Sequence, residues 1–175
     1  VRFQFRQQVA LPPAEVARLV DSPAAVAYLM WPLLRLLPLD GPPGERFRAG
    51  PQRFRVRLLG VIPAGVQTID VSWPLDADHV LLDVGGNGFT RRYAHRIAVT
   101  PELASGGALC VDDTEIDAGV LTLPVSLGFW LVNLVVQRRW RRIARLVASS
   151  DARRVGFAAL LELPASTRAR NSEES

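Results

Sequence analysis

Residues 124–148 read PVSLGFWLVNLVVQRRWRRIARLVA, and the spacing of their apolar side chains decides the architecture. Val125, Phe129, Val132, Val136, Trp140, Ile143 and Val147 recur at intervals of 4, 3, 4, 4, 3 and 4. At about 3.6 residues per turn this is one continuous stripe. It predicts a single long helix from Pro124 to Ala148 with one face against the rest of the protein. Arg138, Arg141, Arg142 and Arg145 fall off the stripe, in the last turns, where cations complement the helix dipole.

The same stretch has a rival reading. Residues 118–137 carry no charge, and Arg138-Arg139-Trp140-Arg141-Arg142 follows, the pattern of a membrane span with a basic flank. Three features favour a helix packed on protein. Pro124 fits a strand-to-helix junction, Ser126, Asn133 and Gln137 are polar, and the stripe continues past the charge boundary. Leu127, Trp130, Leu131 and Leu134 form a second apolar patch that needs a cover. A second helix carrying Met30, Leu33, Leu34 and Leu37 is the expected cover, with a second subunit or a lipid surface as the alternatives.

Upstream, the pattern changes to period two. Phe3, Phe5, Gln7 and Val9 alternate with polar neighbours as a first strand. Pro12-Pro13 opens a short helix over 14–20. Asp21-Ser22-Pro23 punctuates it, and a second helix is expected over 24–37, broken at Trp31-Pro32. Short strands follow, expected at 45–49, 53–62, 68–73, 79–84, 91–99 and 108–117. Turns are expected at 40–44, 63–65, 76–78 and 105–107. Gly85-Gly86-Asn87-Gly88 lacks phosphate-loop spacing and reads as a turn or bulge. No helix separates these strands, so they form an antiparallel meander. The sequence predicts an α+β fold in one domain, residues 1–149. Residues 150–175 read as a tail, a short helix followed by a disordered end.

The 175 residues are 49% hydrophobic, enough for a sizeable core. The one cysteine, Cys110, allows no internal disulfide; with no signal-peptide pattern at the start, it predicts a reducing, cytoplasmic setting. The net charge of +4 is carried by arginine without lysine. Arg53, Arg55 and Arg57, with Arg91 and Arg92, could meet phosphates, but the aromatic residues lie on the opposite strand face and offer no stacking platform. Arginine–carboxylate pairing across the sheet is the simpler expectation, with no nucleic-acid partner.

The order of elements resembles the START-related, polyketide-cyclase-like and pollen-allergen-like superfamily. The residues that carry the resemblance are the strand–helix–helix opening, Asp21-Ser22-Pro23, Trp31-Pro32 and Gly44-Glu45-Arg46-Phe47. Tyr93-Ala94-His95-Arg96-Ile97, Val111-Asp112-Asp113-Thr114 and Arg138-Arg139-Trp140-Arg141-Arg142 complete it. The resemblance covers residues 1–149. It implies a helix-grip fold, a curved antiparallel sheet of six to seven strands wrapped around a long C-terminal helix, with two short helices after strand one. It further implies an apolar cavity for a lipid, sterol, hormone or polyketide. The superfamily has no universal catalytic motif to carry over.

His95 is the sharpest chemical candidate. Alternation puts Tyr93, His95 and Ile97 on one face, and Asp112 or Thr114 on the next strand could sit beside the imidazole. A carboxylate-held histidine serves as general acid or base, and a tyrosine can polarise a carbonyl. The alternative is a structural His–Asp contact that sets strand register. Alternation splits Asp112 from Asp113, Glu115 and Asp117, so no metal site is expected. Cys110 reads as a small buried hydrophobe. The expected cavity wall is Phe54, Val56 and Leu58; Ile69, Val71 and Trp73; Leu82; Tyr93, His95 and Ile97; and Phe129, Val132 and Val136. The leading expectation is binding or transport of a small hydrophobic molecule without a cofactor, rather than catalysis. The alternatives are a cyclase or dehydratase using His95 with Tyr93 or Asp112, and a membrane-surface or protein-interaction module using the Leu127–Leu134 patch, which includes homodimer formation.

Overall fold

A computed structural model describes residues 1–74, 80–86, 90–103 and 106–148. The elements are β1 (Arg2–Val9), α1 (Pro13–Val20), α2 (Pro23–Met30), β2 (Leu34–Pro38), β3 (Gly50–Leu58), β4 (Ile62–Ser72), β5 (Val80–Gly86), β6 (Arg92–Glu102) and β7 (Gly107–Asp117). A short 3-10 turn (Gly119–Leu121) leads into α3 (Thr122–Ala148). The seven strands form one antiparallel sheet in the order β1-β7-β6-β5-β4-β3-β2. With the long terminal helix and the two short helices after β1, this is the helix-grip fold.

Three expected elements differ from the structure. The second helix stops at Met30, because Pro32 forces Trp31 into an extended backbone (φ −64°, ψ 145°). Residues 34–38 then pair with β3 as an edge strand instead of continuing the helix. Residues 45–49 are not a strand. They act as a strap, with the Phe47 amide donating to the Asp21 carbonyl at 2.8 Å and Arg46 paired with the Asp21 carboxylate. Asp21 also accepts the Trp73 indole N–H at 2.9 Å. Lastly, the β3–β4 turn falls at Leu59–Val61, ahead of Pro63. Leu59 (φ 50°) and Gly60 (φ 76°) adopt left-handed backbone there, while Pro63 sits in β4 beside a bulge. The expected 76–78 turn and the tail lie outside the described residues.

The register assigns one face of the sheet to the interior. Phe3, Phe5, Gln7 and Val9 on β1 line up with Thr114, Asp112, Cys110 and Ala108 on β7. The same face continues through Tyr93, His95, Ile97 and Val99 on β6, Leu81, Asp83 and Gly85 on β5, and Ile69 and Val71 on β4. The core gathers at one end of this face. Val9, Val99, Ala108 and Cys110 pack there with Val16, Leu19 and Val20 of α1, Ala25 and Leu29 of α2, and Trp140, Ile143 and Ala144 of α3. On the outer face, Arg2 pairs with Asp113, Arg92 with Glu115 at 3.7 Å, and Arg53 with Asp40 at 2.7 Å. The outward carboxylates and the arginines thus neutralise one another.

Gly85 fits where no other residue does. An added Cβ would lie 2.0 Å from the Thr68 carbonyl oxygen. Gly85→Ala should therefore cost about 2 kcal/mol or more by forcing β4 and β5 apart, read as a lowered midpoint in urea unfolding. An unchanged midpoint would show that the two strands separate freely.

Candidate functional site

The interior face carries an unusual polar group in its middle. β5 contributes Asp83, β6 contributes Tyr93 and His95, and β7 contributes Asp112 and Thr114. His95 stands opposite Asp83 on one side and Thr114 on the other. Asp112 is two residues from Thr114 and so shares its face. Its Oδ1 lies 2.9 Å from His95 Nε2 and accepts the Thr114 hydroxyl at 3.0 Å. The imidazole N–H is not aligned on that oxygen, so the pair is a close charge contact more than a directed hydrogen bond. On the other edge of the ring, Asp83 Oδ2 is 4.0 Å from Nδ1. One imidazole is thus flanked by two inward carboxylates.

Aromatic rings enclose this group. Phe129 of α3 packs edge-on against His95 and Tyr93, with centroids 6.2 and 6.1 Å apart, and meets Phe3 of β1 at 6.4 Å. Tyr93 lies 5.9 Å from His95. Rings exclude water while leaving the polar tips addressable.

Burial and neighbouring charges set the protonation states. Burial alone would lower the His95 pKa; the Asp112 charge and contact, then Asp83 and Asp113, outweigh it and the net shift is upward. Asp83 is pushed up to about 6, first by burial, with the His95 charge opposing and Asp70 adding. Burial, then the Asp83 and Asp112 charges, raise Tyr93 well above its ordinary value, so its phenol stays a donor. Cys110 rises to about 12 through burial and then Asp112, which removes it as a nucleophile.

α3 turns an unexpected face inward over this site. Trp140 and Ile143 of the expected stripe are buried, but Val125, Phe129, Val132 and Val136 are only half-buried. The buried residues of the front half are Ser126 and Asn133. The Asn133 side chain donates to the Phe129 carbonyl at 3.2 Å, and the Ser126 hydroxyl has no partner in the protein. The side chain of Val147 lies outside the described residues. Of the Leu127–Leu134 patch, Leu127, Trp130 and Leu131 are exposed and Leu134 is half-buried; residues 34–38, part of the expected cover, joined the sheet instead.

The expected wall residues separate into groups. Tyr93, His95 and Phe129 come together around the polar group, with Val132 half-buried nearby on α3. Phe54, Ile69, Val71, Trp73, Ile97 and Val136 belong to or pack against the main core, and Val56 is buried on β3. Trp73 is further tied to Asp21. Two expectations need correction. Leu82 pairs with Ser72 and Arg96 and lies on the outer face, opposite to Val71 and His95. Leu58 ends β3 at the hairpin tip and is exposed. Asp83 and Phe3 were missed. The signal for Asp83 was its alternation with Leu81, which sets a lone carboxylate among apolar inward residues.

A shallow groove bounded by Pro23, Asp40, Pro43 and Arg46 is a separate surface feature. Its charged side chains are already engaged, Asp40 with Arg53, Arg46 with Asp21, and Arg48 donating to the Asp40 carbonyl at 3.3 Å.

No protein-family model matches the sequence, and no curated protein does. Solved structures do match. A START superfamily protein from Mycobacterium smegmatis is 16% identical with a TM-score of 0.57, covering 81% of this chain and 98% of that one. The ZhuI aromatase/cyclase from Streptomyces sp. R1128 is 10% identical with a TM-score of 0.59, covering 86% and 97%. Ara h 8.0201 is 9% identical with a TM-score of 0.53, covering 80% and 97%. These three are START-related, cyclase-like and pollen-allergen-like structures respectively, so the chain shares the helix-grip fold of that superfamily. Identities this low speak to the fold alone.

The two shifted groups make stability depend on pH in one direction. Asp83 is raised, so folding favours its protonated form, and stability rises as pH falls from above 6 toward 4. His95 is also raised, so its contribution is complete below the ordinary histidine value and fades as pH climbs through the raised one. Asp40 and Asp113, held low by hydrogen bonds from Arg53 and Arg2, act oppositely and lose stability only in stronger acid. The thermal midpoint should peak at about pH 5 and decline toward pH 8. Asp83→Asn should flatten that decline and gain on the order of 2 kcal/mol at alkaline pH. Parallel wild-type and variant profiles would show that Asp83 is not the titrating group.

Proposed function

We propose that this domain binds a small, mostly apolar molecule bearing one hydrogen-bonding or ionisable group, held between the front half of α3 and the concave sheet face. The observation that carries this reading is the set of buried polar atoms without an aligned protein partner. They are Asp83 Oδ1 and Ser126 Oγ; His95 Nε2, though not aligned on it, has the Asp112 carboxylate 2.9 Å away. Leaving such atoms unmatched costs about 1–3 kcal/mol each, and native proteins keep few of them without a use. A ligand hydroxyl, carbonyl or amine placed under Phe129 would meet them, while the rings of Phe3, Tyr93 and Phe129 would hold its apolar body. The fold likeness to START-related and pollen-allergen-like structures supports a ligand-binding role in general.

Acid–base chemistry is the second reading, and the likeness to an aromatase/cyclase supports it only at the level of fold. Its specific support is the protonation pattern. A carboxyl near 6 beside a histidine raised from its ordinary value gives a proton donor and acceptor close to neutrality. Tyr93 would polarise a carbonyl from the same face.

Solvent extraction of the purified protein, followed by mass spectrometry, tests the binding reading. A compound should be recovered from the wild type. Phe129→Ala and His95→Leu should each weaken its rebinding about tenfold, equivalent to 1.4 kcal/mol. A carrier returns the compound unchanged, whereas an enzyme converts it and loses turnover in His95→Leu. Rebinding that is indifferent to both substitutions would remove the site from this region.

A further inference from the structure

The solvent side of α3 has an order that ligand binding does not require. At about 100° per residue, Leu123, Leu127, Trp130, Leu131 and Leu134 fall within a sector about 120° wide. Arg138, Arg141, Arg142 and Arg145 continue the same sector to the end of the helix. Most of the apolar part is open: Leu123 is 77% exposed, Leu127 59% and Leu131 46%, Trp130 is exposed too, and Leu134 is half-buried. The four arginines are exposed as well, and among the described residues none of them forms an ion pair. One outward stripe is therefore leucine and tryptophan for three turns and arginine for two.

A second apolar element rises at the same end of the sheet as the start of α3. β7 ends there at Asp117, beside the start of β6, and the β3–β4 hairpin points the same way. Its tip exposes Leu58, Leu59, Val61 and Ile62, with Val61 71% exposed. Leu59 holds left-handed backbone (φ 50°) there while gaining no burial. That conformation is unfavourable for a leucine. The tip is nevertheless held in place: the Leu59 amide donates to the Leu33 carbonyl at 2.9 Å, and Gly60 lies against the Trp31 ring.

We propose that this end of the molecule docks on an anionic lipid bilayer, with α3 lying in the interface. The leucines and Trp130 would enter the acyl boundary, the arginine stripe would meet lipid phosphates, and the hairpin tip would form a second point of contact. The chemistry matches an interfacial helix, with an apolar face, a tryptophan at the boundary and cations beside it. α3 is long and apolar enough by composition to cross a membrane. In this fold it presents only one face to lipid, because Ser126, Asn133, Trp140 and Ile143 are buried on the domain. Charge complementarity favours a phosphate-bearing surface over a second copy, since a parallel pair of these faces would oppose arginine to arginine and an antiparallel pair would set arginines against leucines, with no carboxylate on the stripe to meet them.

Co-sedimentation of the full chain with phosphatidylcholine vesicles, with and without phosphatidylserine, tests the proposal. Binding should require phosphatidylserine and weaken with added salt. Leu127→Glu with Leu131→Glu should reduce it about tenfold or more without lowering the thermal midpoint, because both side chains are exposed. Arg138→Gln and Arg141→Gln should each reduce it about fivefold. Leu59→Gly relieves the left-handed strain, so it should keep or raise the thermal midpoint while weakening vesicle binding. Absence of wild-type sedimentation, or binding unaffected by the double glutamate variant, would overturn the proposal. So would light scattering that shows a dimer dissolved by the same variant, which would assign the face to a second copy.

Discussion

A single helix has to cover one face of a seven-stranded antiparallel sheet, and most of the structure follows from how unevenly it does so. An α-helix offers one stripe of contact, while the interior face of this sheet spans strands from β1 to β2. The back half of α3 solves the problem locally. Trp140, Ile143 and Ala144 share a core with α1, α2 and the β1–β7 side of the sheet. Burial of that set anchors the helix without any help from its front half. The front half can therefore carry residues that a core would not accept.

Those residues are polar on the inside and apolar on the outside. Ser126 and Asn133 are buried on the domain, and Phe129 between them packs on a sheet face that holds His95 with Asp83 and Asp112. Burying two carboxylates beside one imidazole carries a desolvation cost that only their mutual attraction and hydrogen bonds offset. The raised Asp83 pKa expresses that cost, whereas the raised His95 pKa expresses the attraction of the carboxylates that offsets it. The aromatic fence of Phe3, Tyr93 and Phe129 then gives the same place an apolar wall and a polar floor. The outward leucines are the complement of this inversion, because a helix that turns its polar side inward must show its apolar side to something else.

The fold was largely legible from periodicity. Period-two alternation marked β1, β6 and β7, because each hides one face and bares the other. It failed between Met30 and Ala49. Leu33, Leu34 and Leu37 look helical in isolation, but Pro32 breaks the backbone before them and β3 offers hydrogen bonds to an edge strand. Residues 45–49 look like a strand, yet Asp21 captures Phe47 and Arg46 and turns them into a strap. Of the site, His95, Tyr93 and Asp112 were foreseeable from alternation on neighbouring strands. For Asp83, alternation with Leu81 signals only the inward face; its place beside His95 depends on a register that no local pattern specifies.

Local pattern by itself determined that the chain makes an antiparallel meander closed by one long helix, because the periods of two and 3.6 are properties of the backbone. Only the tertiary structure decided which way that helix faces. In its front half the Val125–Phe129–Val132 face and the Leu127–Trp130–Leu131 face are comparably apolar, so hydrophobicity could not rank them. The choice fell to the Trp140–Ile143 anchor, which sets the rotation of the whole rod and carries Ser126 and Asn133 into buried positions.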